Sequence, residues 1–319
     1  MKRTLAIMLF VACSSAGSGG DHHNNNGPDA NNGHHPDAAE PDSPHSNAAR
    51  TIFTIVMENH DYAEIVGSSD APYINSLIAA GGLATAYKDT GHPSLPNYLN
   101  MVSGANQYFG VVDWSPTLWP FPAMQPNLGT QMSAASVPWR AYAEDMGTAC
   151  NLTDAGNYAT KHEPFLYFVD MQASGPCAQN NVDFATNFTT DLAANTYRYV
   201  WITPNLLDDG HDPSTAPVTG LQQSDAWLQT WIPRIQASPG YQNGGVIFLT
   251  WDEAEGRNGD NADQIPMIVL SPKLKQVGMQ STTAFTHTSY TATIEDMLAL
   301  PRLATSMAQT STLLEFVNW

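Results

Sequence analysis

Four short runs rich in apolar, β-branched and aromatic residues constrain this chain most: Thr51 to Met57, Tyr197 to Thr203, Gly245 to Trp251 and Ile265 to Leu270. Their length fits buried strands, and they lack the polar alternation of a strand with one wet face. Leu83 to Tyr87 reads as a further strand. Segments with helical spacing lie between them: Tyr73 to Ala80, closed by Gly81-Gly82, then Asn97 to Val102, Asp225 to Gln236 and Tyr290 to Leu300. Strands alternating with helices and buried on both faces predict an α/β fold, a three-layer α/β/α sandwich with a mostly parallel central sheet.

Such sheets gather their sites at the carboxyl ends of the strands. Three chemically dense segments fall there. Glu58-Asn59 closes the first strand, Asn205 to His211 follows the second, and Asp252-Glu253 closes the third. A carboxylate beside an amide oxygen offers hard ligands to a divalent cation. Adjacent carboxylates at a sheet edge call for a cationic partner. The run Asp208-Asp209-Gly210-His211-Asp212 can bind a metal or move protons. Each segment also has a plain structural alternative: a strand-end turn at Asn59, and exposed acidic loops at Asp252-Glu253 and at Asp208 to Asp212. Their expected convergence on one edge favours a catalytic site.

The run T-G-H-P-S-L-P-N-Y-L-N-M-V-S-G, Thr90 to Gly104, adds a nucleophile. It sets Ser94 between Pro93 and Pro96, with His92 and Asn97 close by, just before a helical stretch. A hydroxyl at a stiff turn ahead of a helix can face a cleft, and the helix N-terminus behind it favours an anion. Lys161-His162 and His287 are further candidates for a phosphate site, although a solvated pair and a structural histidine are the commoner uses of such residues.

Net charge bounds the partners. A formal charge of −18 over 319 residues argues against electrostatic binding of nucleic acid or anionic lipid. A phosphate site here needs local positive charge from a metal, lysine or histidine. Residues 1–13 read as a signal peptide: Lys2-Arg3, a short apolar stretch, then Phe10-Val11-Ala12-Cys13. That ending resembles a lipobox, with Cys13 as the lipidated residue and a membrane anchor; ordinary cleavage and release is the alternative. Residues 14–50 are a Gly, Ser, Asp, Asn, His and Pro linker expected to be disordered. Residues 51–319 are left for one catalytic domain. Outside the cytoplasm Cys150 and Cys177 read as a disulfide pair.

Together these residues resemble the phosphoesterase family of acid phosphatases and phosphatidylcholine-type phospholipases C. The motifs, in order, are V-M-E-N from Val56, A-P-Y-I-N-S-L from Ala71, G-H-P-S-L-P-N-Y-L from Gly91 and W-R-A-Y-A-E-D-M from Trp139. K-H-E-P-F from Lys161, T-P-N-L-L-D-D-G-H-D from Thr203, T-W-D-E from Thr250 and H-T-S-Y-T-A-T-I-E-D from His287 complete the series. The resemblance implies an alkaline-phosphatase-like fold and a divalent metal held by Glu58, Asn59, Ser94, Asp252 and Glu253. It sets His211 and His287 near the phosphate or a second metal, and His92, Lys161, His162 and Asp209 are further candidates for that role. Asp208-Asp209-Gly210-His211 differs from the D-x-x-G-H spacing of two-zinc relatives, so the metal count stays at one or two. The chain has no room for the large insertions of long phospholipases C, which favours the phosphatase branch.

The expected chemistry is attack by Ser94 on a small-molecule phosphoester, giving a phosphoserine, with His211 or His287 protonating the leaving oxygen. Protonated histidines predict an acidic optimum. The alternatives are a phospholipase C acting on lipid headgroups, with Phe109, Trp114, Trp119 and Phe121 rimming its mouth, and a non-catalytic metal-binding lipoprotein.

Overall fold

The computed structural model describes residues 49–105, 113–118, 126–172, 175–211, 217–255 and 264–319. Cys13, the linker up to residue 48, Phe109, Trp119, Phe121 and Asp212 lie outside the described residues.

The strands, in chain order, are β1 (Ile52–Met57), β2 (Gly82–Ala84), β3 (Tyr87–Lys88), β4 (Trp139–Ala143), β5 (Asn181–Asp183), β6 (Tyr199–Thr203), β7 (Val246–Trp251), β8 (Met267–Leu270), β9 (Met279–Ser281) and β10 (Phe285–Thr286). Eight of them form one sheet in the order β5-β4-β6-β1-β7-β8-β2-β9, and β3 pairs with β10. The sheet is parallel except around β8, which runs antiparallel to β7 and β2. The α/β/α expectation therefore holds. An unbroken apolar run reports burial on both faces and not direction, so the sequence does not announce the reversal at β8. The expected strand at Leu83 to Tyr87 is split between β2 and β3, which belong to different sheets.

Every residue of β1, β6, β7 and β8 is buried. The helices carry the rest of the core. On helix His287–Met297, the hydroxyl of Tyr290 meets Thr54 Oγ1 of β1 at 2.5 Å and the Tyr199 hydroxyl of β6 at 3.0 Å. That polar chain locks helix to sheet where three hydroxyls would otherwise be buried without partners. Helix Gly220–Gln236 is tied to helix Pro72–Ala80 through Asp225, whose carboxylate accepts the N–H groups of Tyr73 (3.1 Å) and Ile74 (2.7 Å). A carboxylate there satisfies orphan donors and suits the helix dipole.

Cys150 and Cys177 form a disulfide across 27 residues. It joins the loop after β4 to the short helix before β5. By the loop-closure argument, replacing both cysteines with serine should lower unfolding free energy by about 3–4 kcal/mol. Denaturant unfolding of the double variant checks this; a loss under about 1 kcal/mol would contradict it.

Candidate active site

Register assembles the site. Met57 of β1 pairs with Trp251 of β7, and Asp252 N–H donates to the Met57 carbonyl at 2.9 Å. The next residues, Glu58 and Asp252, are thereby side by side at the carboxyl edge. Glu58 N–H donates to the Asp209 carbonyl at 3.0 Å, which brings in the loop that follows β6. Glu58 and Asp252 are fully buried and Glu253 nearly so.

Ser94 is the first residue of helix Ser94–Ser103. Pro96 is tolerated because it sits in the first turn, where no intrahelical acceptor is needed. Asn97 fixes the approach to the serine. Its Oδ1 accepts Thr90 N–H at 2.8 Å, while Nδ2 donates to the carbonyls of Gly91 and Pro93 and to Glu253 Oε2 at 3.1 Å. Ser94 Oγ then lies 3.2 Å from Glu58 Oε2 and 3.3 Å from Glu253 Oε1, with Lys161 Nζ at 3.4 Å. The Ser94 hydroxyl thus meets a carboxylate 159 positions away in the chain.

The remaining groups surround this centre. Asn59 donates its backbone N–H to Asp252 Oδ1 at 3.2 Å and its side-chain N–H to Glu253 Oε1 at 2.9 Å. His92 Nδ1 is 3.0 Å from Glu253 Oε2, on a side chain 43 % exposed. His162 is buried, stacked on Tyr98, with Nε2 3.0 Å from Glu58 Oε1 and Nδ1 3.8 Å from Asp209 Oδ2. His211 lines a neighbouring cavity of about 500 Å³ with His60, Glu64 and Asp70.

The electrostatics follow from crowding carboxylates in a dry place. Burial raises Asp252 well above the usual carboxylate range, and the negative charges of Glu58 and Glu253 push it the same way. Burial, then Glu58, lifts Glu253 to about 8. Burial also opposes ionisation of Glu58, but His162, Lys161 and hydrogen bonding with Tyr98 and Asp252 together hold Glu58 below its ordinary value. Burial disfavours the charge on Lys161, while Glu58, Asp113 and Asp252 more than restore it, so Lys161 stays an ammonium beside Ser94.

Among the described residues, no three His, Cys, Asp or Glu side chains stand as a ready metal cage. The donor set around Ser94 is nonetheless suited to a hard divalent cation: three carboxylates, an amide and a hydroxyl, all oxygen donors. Asn59 Oδ1 and Asp252 Oδ2 are buried with no hydrogen-bond partner. Native proteins rarely leave such oxygens unsatisfied, and a cation answers both them and the charge crowding. Glu58, Asn59, Ser94, Asp252 and Glu253 fit a metal.

Of the two expected proton donors, His211 and His287, the geometry corrects His287. His287 is fully buried; its Nε2 meets the Asp252 carbonyl at 2.6 Å and its Nδ1 the Tyr87 hydroxyl at 3.0 Å. Burial pushes it down to about 4. It is a neutral ring that donates to the backbone of Asp252 and accepts from Tyr87, not an acid facing a leaving group. His162 is likewise pushed down to about 4, by burial, and sits behind Glu58. An acidic optimum therefore does not follow from these two rings. His92, at the rim, keeps the exposure a proton donor needs. Replacing His287 with leucine should lower kcat/KM roughly 10–100-fold through Asp252, with His287→Gln recovering part of it because glutamine can donate from the Nε2 position. Equal activity in the two variants would count against a positioning role.

Several contributors were not singled out by the sequence. Asp89 accepts Ala254 N–H at 2.9 Å and Asp61 accepts Glu255 N–H at 2.8 Å, so both brace the carboxylate loop. Tyr98 and Asp113 also pack into the site. Of these, only Tyr98, which lies in the run that follows the serine, carries a local signal.

Comparison with known proteins shows the family. The Phosphoesterase family profile matches residues 67–301. The chain belongs to the phosphoesterase family. These are hydrolases of phosphoester bonds. Phosphatidylinositol-3-phosphatase from Mycobacterium tuberculosis is 29 % identical over 253 residues, covering 79 % of this chain and 77 % of the relative. An acid phosphatase from Aspergillus fumigatus is 25 % identical, covering 83 % of this chain, which spans 59 % of that relative's length. Among solved structures, an alkaline phosphatase superfamily protein from Vibrio parahaemolyticus aligns with a TM-score of 0.58 at 13 % identity, over 81 % of this chain and 68 % of that one. The fold is that of the alkaline phosphatase superfamily. No helix among the described residues is long and apolar enough to cross a membrane.

Proposed function

We propose that this phosphoesterase is a metal-dependent phosphatase that hydrolyses phosphate monoesters through a phosphoserine on Ser94. The observation that carries the reading is the Ser94 hydroxyl, held at a helix start within 3.4 Å of Glu58, Glu253 and the Lys161 ammonium. A divalent cation on Glu58, Asn59, Ser94, Asp252 and Glu253 would lower the pKa of the serine hydroxyl and offset charge on the phosphoryl oxygens. Ser94 Oγ attacks phosphorus in line, the ester oxygen leaves with a proton, and water then cleaves the phosphoserine to regenerate the hydroxyl and release phosphate. Lys161 binds a non-bridging oxygen, and His92 is the group placed to pass a proton at the rim.

The relatives named above support a monoester and put a phosphoinositide among the substrates worth testing. The Cys150–Cys177 bridge agrees with an oxidising compartment, so export, with lipid anchoring at Cys13, belongs to the same proposal. The test is acid quenching with substrate labelled on phosphorus, followed by peptide mapping. Label is expected on the peptide containing Ser94, with a soluble aryl or inositol monoester turned over faster than the matching diester. Turnover without trapped label, or a diester preference, would sink the reading.

A further inference from the structure

Asp113 has no part in that chemistry, yet its carboxylate holds two groups well suited to a phosphoryl oxygen. Its Oδ1 accepts Leu95 N–H at 3.0 Å, and its Oδ2 lies 3.3 Å from Lys161 Nζ. Leu95 follows Ser94 in the first turn of a ten-residue helix, where the N–H groups have no intrahelical acceptor and an anion is favoured. Lys161 Nζ is itself 3.4 Å from Ser94 Oγ. Oxygens on a phosphorus approached by Ser94 therefore come within reach of the same donors.

A carboxylate presents two charged acceptor oxygens, as two non-bridging oxygens of a phosphoryl group do. The side chains of Asp113 and Lys161 are each 24 % exposed, so solvent and ligand reach the pair. The chain beside Asp113 is pinned. The Trp114 carbonyl accepts the Tyr167 hydroxyl at 2.6 Å, and the Pro116 carbonyl accepts Gln172 Nε2 at 3.1 Å. Rotation of the Asp113 side chain is enough to free the donors.

We propose that Asp113 is an internal stand-in for the phosphoryl group. It holds Leu95 N–H and Lys161 in place until the ester displaces it, then competes with product phosphate for the same donors. It thereby sets phosphate affinity and hastens product release. The inference rests on the phosphoester reading. A purely structural role, orienting Lys161 for substrate, predicts the opposite effect on binding.

Calorimetric titration with inorganic phosphate, at fixed pH and salt with divalent cation present, separates these. Asp113→Asn and Asp113→Ala should bind phosphate about tenfold more tightly than wild type, the loss of one charge-assisted contact. Phosphate inhibition of turnover should strengthen by the same factor, and KM should fall more than kcat. Asparagine keeps an acceptor for Leu95 N–H, so it serves if the alanine variant melts early. Unchanged or weaker phosphate binding in a folded variant, beside normal binding and turnover in wild type, overturns the proposal and leaves the phosphatase reading standing. A wild type that neither binds phosphate nor turns over any phosphoester overturns both.

Discussion

Ser94→Ala is expected to reduce turnover of a chromogenic phosphomonoester by roughly 10⁴-fold or more while leaving the fold intact. Loss on that scale is what a nucleophile shows, because every later step depends on the covalent bond it forms. The fold should survive because the change removes a single hydroxyl from a buried helix start. The Leu95 and Asn97 contacts that shape the turn do not involve that oxygen. The net cost of the lost hydrogen bond is about 1 kcal/mol, and two carboxylates lose a shared donor. Circular dichroism and melting establish the fold, and steady-state kinetics establish the loss. Residual activity near one per cent of wild type, with label still trapped on protein, would place the nucleophile elsewhere. The same variant should still bind inorganic phosphate, since Lys161 and the helix N–H remain.

The sheet was legible because burial on both faces leaves an unmistakable trace. β1 and β7 were readable almost to the residue, and their ends fixed where Glu58 and Asp252 must lie once the strands are parallel neighbours. Direction was not legible at β8, because an interior antiparallel strand is as apolar as a parallel one. Short strands such as β5, three residues long, have too little pattern to detect. The chemistry divides the same way. Ser94 and the strand-end carboxylates announced themselves through local motifs. His287 did not announce its role: a histidine before a helix looks alike whether it faces solvent or, as here, props the Asp252 carbonyl from a fully buried position. Asp113 carried no signal at all, because its importance comes from Leu95 and Lys161, which are 18 and 48 positions away.

The second large effect should fall on stability and activity in opposite directions. Asp252→Asn is expected to cost at least about 10³-fold in metal-supported turnover, as removal of a charged ligand and disruption of the carboxylate cluster should. Without metal the same variant should be more stable than wild type by roughly 1–3 kcal/mol, because it relieves a buried like-charge cluster and keeps an oxygen for Asn59 N–H. The sign with pH follows from the raised carboxyls. Asp252 sits well above its ordinary 3.8, and Glu253 sits at about 8. Below about pH 6.5 the two buried imidazoles, His162 and His287, oppose this, because each binds fewer protons folded than unfolded. Between about pH 6.5 and pH 8 the raised carboxyls act alone, the folded metal-free protein binds more protons than the unfolded chain, and wild-type stability declines as pH rises. Saturating cation should flatten the decline, since it supplies the counter-charge that protons provide at low pH, and it should add about 4 kcal/mol at a thousand times its Kd. The stability order of wild type and Asp252→Asn should therefore reverse on adding metal at neutral pH. Melting both proteins at pH 6.5 and pH 8, with chelator and then with a divalent cation, reads all four corners. A metal-free wild type that gains stability as pH rises, or an order that fails to reverse, would mean that the carboxylates at the edge of β1 and β7 are not held there to bind a cation.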